Sequence, residues 1–263
     1  MLKFDISVKQ QTTDNRQQTT DNMLALRHTD DALQEIGCDE AGRGCFWGPI
    51  MAGAVLWPPE STWTEEHRTV APQIRDSKKI SPKKRELIAD AIQRLALKAA
   101  VGSVEAAEID EKGITWANQE AFRRALKGLE LDPEGLKEAR LLLDGELSIP
   151  DWTGEQHTIV EGDNTYLCVG AASILAKVTH DRWVQAFCDG QEECALRYGL
   201  RTSKGYGTAV HRLALQTHGA HELHRRTFIR RYVPMEQSLP KPNVVVEGYR
   251  KPSIDKCLIR LKK

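Results

Sequence analysis

Apolar positions along this chain follow two spacings, and their order predicts an architecture. Residues 32–38 and 140–143 form short, partly or wholly apolar runs with no helical period. Each ends in acid: Asp39-Glu40 after the first, Asp144-Gly145 after the second. Runs of this length and make-up read as strands ending at the acids. Residues 49–57 are a further apolar run, suited to the next strand of a meander, and residues 100–104 are a shorter strand candidate. Thr158-Ile159-Val160-Glu161-Gly162-Asp163 repeats the pattern of apolar run and acid, just before a helical segment.

Helical spacing appears between these runs. Ser81-Pro82 opens a helix, with serine at the N-cap and proline at the first helical position. Leu87, Ile88, Ala91, Ile92, Leu95 and Ala96 make a stripe that should pack on a sheet. Residues 105–113 and 114–128 read as two helices, with Trp116, Phe122 and Leu126 as core. Residues 167–187 read as one long helix whose small start (Gly170, Ala171, Ala172) permits close packing. Two or three short helices follow Tyr206, and residues 58–75 form a Pro- and charge-rich connection without a period. The order predicts an α/β fold, a sheet flanked by helices with a C-terminal helical subdomain.

Length and composition divide the chain. Its 263 residues suit one domain of about 200 residues with terminal extensions. Gln10-Gln11-Thr12-Thr13-Asp14-Asn15 recurs, after Arg16, as Gln17-Gln18-Thr19-Thr20-Asp21-Asn22. A polar repeat of this kind cannot bury a core, so residues 1–29 are expected to be a disordered extension. Residues 30–195 would be the α/β core, 196–233 the C-terminal helical subdomain, and 234–263 a basic tail with apolar alternation at Val244-Val245-Val246 and Cys257-Leu258-Ile259. The net charge of zero argues against nucleic acid, yet its distribution argues for it: residues 197–263 hold 15 Lys and Arg against 4 Asp and Glu. A basic face beside an acidic pocket suits a duplex-gripping enzyme. The six cysteines are scattered, with no Cys-x-x-Cys pair and no signal peptide, which points to reduced thiols in a cytoplasmic protein. No apolar run is long enough to span a membrane.

The acids carry the chemistry. Ligands collect at the carboxyl ends of strands in open α/β sheets, so Asp39, Glu40, Asp144 and Asp163 are expected to converge there. Neighbouring residues on a strand face opposite ways, so Asp39 and Glu40 can share a ligand only where pairing ends or bulges. Two carboxylates about 5 Å apart repel by roughly 3 kcal/mol at an effective dielectric of about 20. A divalent cation reverses that sign, and an all-carboxylate set favours Mg²⁺ or Mn²⁺ over zinc. Sites of this kind hydrolyse phosphodiesters with two metals.

With Asp39-Glu40-Ala41-Gly42-Arg43-Gly44, Asp76-Ser77-Lys78-Lys79, Leu143-Asp144-Gly145, Glu161-Gly162-Asp163, Ala171-Ala172-Ser173-Ile174-Leu175-Ala176-Lys177-Val178 and Lys204-Gly205-Tyr206-Gly207-Thr208 in that order, the chain resembles ribonuclease HII from Ile36 to Phe228. The resemblance implies a ribonuclease H-like mixed sheet. It implies an endonuclease that hydrolyses the RNA strand of RNA–DNA hybrids and cuts at ribonucleotides embedded in duplex DNA, leaving 5′-phosphate and 3′-hydroxyl ends. Asp39, Glu40, Asp144 and Asp163 would be its metal-site acids. Gly42, Arg43 and Gly44 would read the ribose 2′-hydroxyl, and Tyr206 would pack on the following deoxyribose. The partners implied are hybrid and ribonucleotide-containing duplex, bound by a monomer.

Other clusters are weighed beside these. Lys78 and Lys79, close to a helix amino end, suit a substrate phosphate. Lys177 and Asp181 stand four apart and can pair on one helix face. His211, His218, His221 and His224 lack a cysteine or close acid to complete a zinc set. His221 and His224, beside Arg225 and Arg226, are expected to cap helices or to touch backbone phosphate. Gly42-x-Gly44-x-x-x-Gly48 has the wrong spacing for a dinucleotide fingerprint, and Pro49 follows where a helix should continue.

Overall fold

The computed structural model describes residues 23–233 and Pro252. The N-terminal repeat and all of the basic tail except Pro252 lie outside the described residues. Five strands form one sheet in the order β3-β2-β1-β4-β5: β1 (Gln34–Ala41), β2 (Ile50–Leu56), β3 (Lys98–Val104), β4 (Ala139–Asp144) and β5 (Gln156–Ile159). β1, β2 and β3 pair antiparallel, while β1, β4 and β5 pair parallel. The helices are α1 (Glu65–Val70), α2 (Pro82–Leu95), α3 (Ala106–Lys112), α4 (Ile114–Gly128), α5 (Pro133–Lys137), α6 (Leu167–Gly190), α7 (Glu192–Arg197), α8 (Leu200–Ser203), α9 (Ala209–His218) and α10 (Arg226–Ile229).

Alternation along β1 explains the layers. Ile36 and Cys38 point into a core shared with Phe122 and Leu126 of α4. The opposite face packs on α6, whose Leu167, Val169 and Ala172 meet Val55 and Leu142. Gly53 permits this contact, because a Cβ there would stand 2.3 Å from the Ala172 carbonyl oxygen. A third core joins Trp47 and Met51 to Trp183 and Phe187 of α6 and to Leu200, Leu215 and Ile229 of the helical part. Ala195 lies in that same cluster, so the C-terminal helices grow out of the α6 packing across residues 195–196.

Several expectations are corrected. β1 does not end at the acids but continues through them to Ala41, because its ladder with β2 runs on to the Ala41–Met51 pair. Residues 23–29 are not loose: Ala25 bridges Tyr166, and Met23, Leu24 and Leu26 pack on the core. Residues 58–75 contain α1, started by a capping box between Thr64 and His67. Leu87 is 64% exposed, outside the buried stripe of α2. Ser81 holds the N-cap position without a side-chain cap bond, and Trp116 is only half-buried.

Candidate active site

Strand register assembles the acids. The β1–β4 ladder pairs Cys38 with Leu143 and stops, so Asp39 and Asp144 stand side by side one step further on, at the carboxyl ends of two parallel strands. Asp39 falls on the α6 face, Glu40 on the other. An open cleft of about 480 Å³ lies there. Asp39, Glu40, Asp144, the Gly42-Arg43-Gly44 turn, Lys78, Lys177 and Tyr206 line it, together with Ser77 and Ser173.

Burial gives the site its electrostatics. Asp39 is held well above the ordinary carboxylate range, first by burial and then by the charges of Glu40 and Asp144. A hydrogen bond from Ser173 offsets part of this. Burial also raises Glu40, against the pull of Arg43, whose Nη1 lies 3.8 Å from its Oε1. Asp163 is raised by burial, then by Asp144 and Asp76. Ser173 Oγ lies 3.2 Å from Ser77 Oγ and so ties α6 to the Asp76–Lys79 loop beside Asp39. That loop is shaped by Asp76, whose Oδ1 accepts from the Lys78 amide at 2.8 Å.

The acids fit a hard divalent cation in donor chemistry, being all carboxylate, and in their shared uncompensated charge. As the side chains stand, no three His, Cys, Asp or Glu among the described residues are close enough to enclose an ion. Glu40 leans to Arg43, and Asp39 Oδ1 accepts from the Glu40 amide at 2.6 Å.

Two expected site residues lie outside the cleft lining. Asp163 sits behind Asp144, its amide 3.4 Å from Asp144 Oδ1, in the short turn between β5 and α6. Lys79 points away, its Nζ 3.3 Å from Asn164 Oδ1 and 3.7 Å from Asp76 Oδ2. Tyr206 is 40% exposed, and its ring reaches within 4.0 Å of where a Gly44 Cβ would be. Burial, with Cys45 and Asp181 nearby, pushes its phenol up to about 12. Lys177 pairs with Asp181 at 2.8 Å as expected, and its Nζ also stands 5.7 Å from the Tyr206 ring centroid.

Of the two roles expected of His221 and His224, helix capping or phosphate contact, the second fails for His224, which is buried, as is Arg225 beside it. An Arg- and His-rich segment reads as solvated from sequence, and nothing local betrays that its partners lie some 180 residues earlier. Ser173 carried a usable signal, a hydroxyl within the apolar start of α6.

The family model described as Ribonuclease HII matches residues 36–231. The Ribonuclease HII of Prochlorococcus marinus is 37% identical over 198 residues, covering 75% of this chain and 97% of that protein. That of Parabacteroides distasonis is 41% identical over 208 residues, covering 78% and 94%. The crystal structure of the ribonuclease H2 from Pyrococcus horikoshii OT3 superposes with a TM-score of 0.57 at 26% identity, over 76% of this chain and 97% of that one.

Proposed function

The chain belongs to the ribonuclease HII family, a family of nucleases that cleave RNA endonucleolytically in RNA–DNA hybrids, and from that premise we propose that its cleft also cuts at single ribonucleotides embedded in duplex DNA. The observation that carries this is one cleft shared by the Asp39–Asp144 pair, the Gly42-Arg43-Gly44 turn and the Tyr206 ring. A duplex-reading nuclease needs the 2′-hydroxyl to tell RNA from DNA. The turn offers backbone at close range to a ribose. The exposed Tyr206 ring beside it offers a flat surface to the next, deoxy sugar. Lys78 and Arg43 hold the scissile phosphate and its neighbour in the acidic cleft.

Asp39, Glu40 and Asp144 are the residues to hold Mg²⁺ or Mn²⁺, with Asp163 as a fourth acid reaching the set through Asp144. When bound, two such ions supply an activated water and stabilise the leaving oxygen of an in-line displacement. Ser173 orients Asp39 for that task, and Asp76 shapes the loop that presents Lys78. The products carry 5′-phosphate and 3′-hydroxyl ends. Lys79, held against Asn164 and Asp76, is available to phosphate further along the duplex. The basic residues of the C-terminal part add sequence-independent grip, and the protein acts as a monomer in the cytoplasm, where its free thiols stay reduced.

The test is cleavage of a duplex carrying one ribonucleotide, with and without Mg²⁺ or Mn²⁺, with the product ends identified. Metal-dependent cutting at the ribonucleotide is expected. Cutting without metal, or equal cutting of an all-DNA duplex, would overturn the reading.

A further inference from the structure

The segment His221–Arg225 is linked to both elements proposed to read the sugars, to Arg43 directly and to Tyr206 through His211. Arg225 is wholly buried, yet its guanidinium bonds main-chain carbonyls. Its Nε donates to the Gly48 carbonyl at 2.9 Å and its Nη1 to the Arg43 carbonyl at 2.8 Å. Its own amide donates to the Phe46 carbonyl at 2.8 Å. One residue thus fastens three carbonyls between Arg43 and Gly48. The Gly48 amide donates to the Leu223 carbonyl at 2.9 Å, and Trp47 pairs with His224 in an antiparallel bridge.

The same segment reaches Tyr206 through two histidines. His224 Nδ1 lies 2.8 Å from the His221 amide and 3.3 Å from the His221 carbonyl oxygen; the shorter contact, in which the amide donates, puts its proton on Nε2. That nitrogen is 2.9 Å from His211 Nε2, which must then accept. His211 Nδ1 keeps a proton for the Tyr206 carbonyl oxygen, 3.1 Å away. The bonds close only with both rings neutral, and burial lowers the proton affinity of both. Arg225, although burial pulls it down to about 10, stays charged at neutral pH. Its Nη2 is buried and has no hydrogen-bond partner among the described residues, and its guanidinium carbon lies 5.4 Å from the Phe228 ring centroid. Removing the guanidinium would take these donors from the Arg43 and Gly48 carbonyls, so the side chain ties the loop of residues 43–48 to this segment.

We propose that Arg225, with the His224–His211 pair, is a positioning brace that holds the Gly42–Gly44 turn and the Tyr206 ring at one separation, and so sets selectivity for a ribonucleotide followed by a deoxynucleotide without touching nucleic acid. This rests on the junction reading above. The brace acts through the Arg43 carbonyl on one side and the Tyr206 carbonyl on the other. A displacement of about 1 Å at such a site costs on the order of a hundredfold in rate.

The experiment compares wild type with Arg225→Met, which keeps bulk but loses charge and donors, and Arg225→Lys, which keeps the charge. It measures kcat/KM on a single-ribonucleotide duplex and on a uniform hybrid, Kd for an all-DNA duplex, and the melting temperature. Arg225→Met should lose about thirtyfold or more on the single-ribonucleotide duplex, and less on the hybrid. All-DNA binding should stay within about twofold, because no phosphate contact is removed, and Arg225→Lys should recover part of the loss. An equal loss on both substrates that follows the folded fraction makes Arg225 an ordinary core group. Weaker all-DNA binding with a shallower salt slope makes it a phosphate ligand. Failure of both variants to fold makes it inseparable from the core. Each of these overturns the brace. A wild type that does not distinguish the junction overturns the junction reading and the brace with it. A wild type that does, matched by Arg225→Met, overturns the brace alone.

Discussion

Gly42 and Gly44 flank one arginine, but alanine at the two positions should fail in opposite ways. Gly42 has φ +80°, and a Cβ there would stand 2.6 Å from the His180 ring and 3.2 Å from the Pro49 carbonyl oxygen. His180 cannot swing aside: it is fully buried, 3.3 Å from Asp181 Oδ1 and 3.7 Å from Cys45 Sγ. The left-handed backbone costs an L-residue roughly 1–2 kcal/mol, and forcing a methyl into a packed site adds roughly 1–3. Gly42→Ala should therefore lower stability by about 2–5 kcal/mol, or about 5–15 °C in melting temperature for a domain of this size. Gly44 lies outside the left-handed region, and its Cβ would meet only Tyr206 Cε1 at 4.0 Å. Gly44→Ala should leave stability within about 0.5 kcal/mol. Its methyl group instead projects into the space proposed for the ribose, and a shift of about 1 Å there should cost on the order of a hundredfold in kcat/KM. Melting in EDTA and cleavage of a single-ribonucleotide duplex, run on both variants, separate the effects. Near-normal cleavage by Gly44→Ala would mean the turn does not approach the sugar, and a wild-type melting curve for Gly42→Ala would contradict the packing of the turn on His180.

Further consequences can be checked with the same assays. Asp39→Asn should abolish cleavage yet melt no lower than wild type in EDTA, because it removes one of several repelling charges; turnover near normal would sink the metal-site assignment. Asp39, Glu40 and Asp163 have raised folded values, so the metal-free fold binds extra protons between the ordinary carboxylate value and those raised ones. Their contribution is complete at low pH and is lost as pH rises through the raised values. The buried His211, His221 and His224 act oppositely below neutrality, so the informative quantity is the difference between wild type and Asp39→Asn, which should shift in favour of the variant as pH rises in EDTA. Arg140→Ala strips Glu35 of its buried 3.0 Å partner and should cost about 3 kcal/mol by urea unfolding; an unchanged midpoint would show the cluster is solvated. Tyr206→Ala should lower kcat/KM about ten- to hundredfold on a single-ribonucleotide duplex, with a smaller loss on uniform hybrid; an unmoved ratio would place Tyr206 outside the reading of the junction.

What the sequence revealed depended on how local the physics was. Apolar runs leading to Asp39 and Asp144 mark the two strands that carry the acids, because burial and charge change sign within a few residues. The true end of β1 was hidden, since backbone pairing with β2 continues past Asp39 and Glu40 whatever side chains they carry. α1 left a readable trace in Thr64 and two glutamates in its first turn, but it is too short to show a period. Arg225 was illegible. Its neighbours are basic and polar, and its burial comes from carbonyls at Arg43 and Gly48, brought near only by the third core. Asp163 read correctly as an acid near a helix start but stands behind Asp144, because Glu161 turns the chain at φ +57° before it.

The cleft is thus bordered by two departures from ordinary folding economy, of opposite sign. On one side stand acids crowded at two strand ends, Asp39 the most buried of them, with Arg43 3.8 Å from Glu40; on the other, a buried cation bonded to carbonyls. They are separate structures: the Arg225 guanidinium is bonded to the Gly48 and Arg43 carbonyls and to none of the cleft acids. The two therefore do different work at different times. The brace is complete in the protein alone, its bonds made and its histidines neutral. The acid set acts through a divalent cation that it must take up from solution. Recognition of the sugar junction should consequently be in place before metal, and chemistry should wait for it. If so, a single-ribonucleotide duplex binds in EDTA with its preference over all-DNA duplex intact, and added Mg²⁺ changes the rate of cutting far more than the preference. A preference that appears only with metal would mean that the acids, rather than the braced turn, read the sugar.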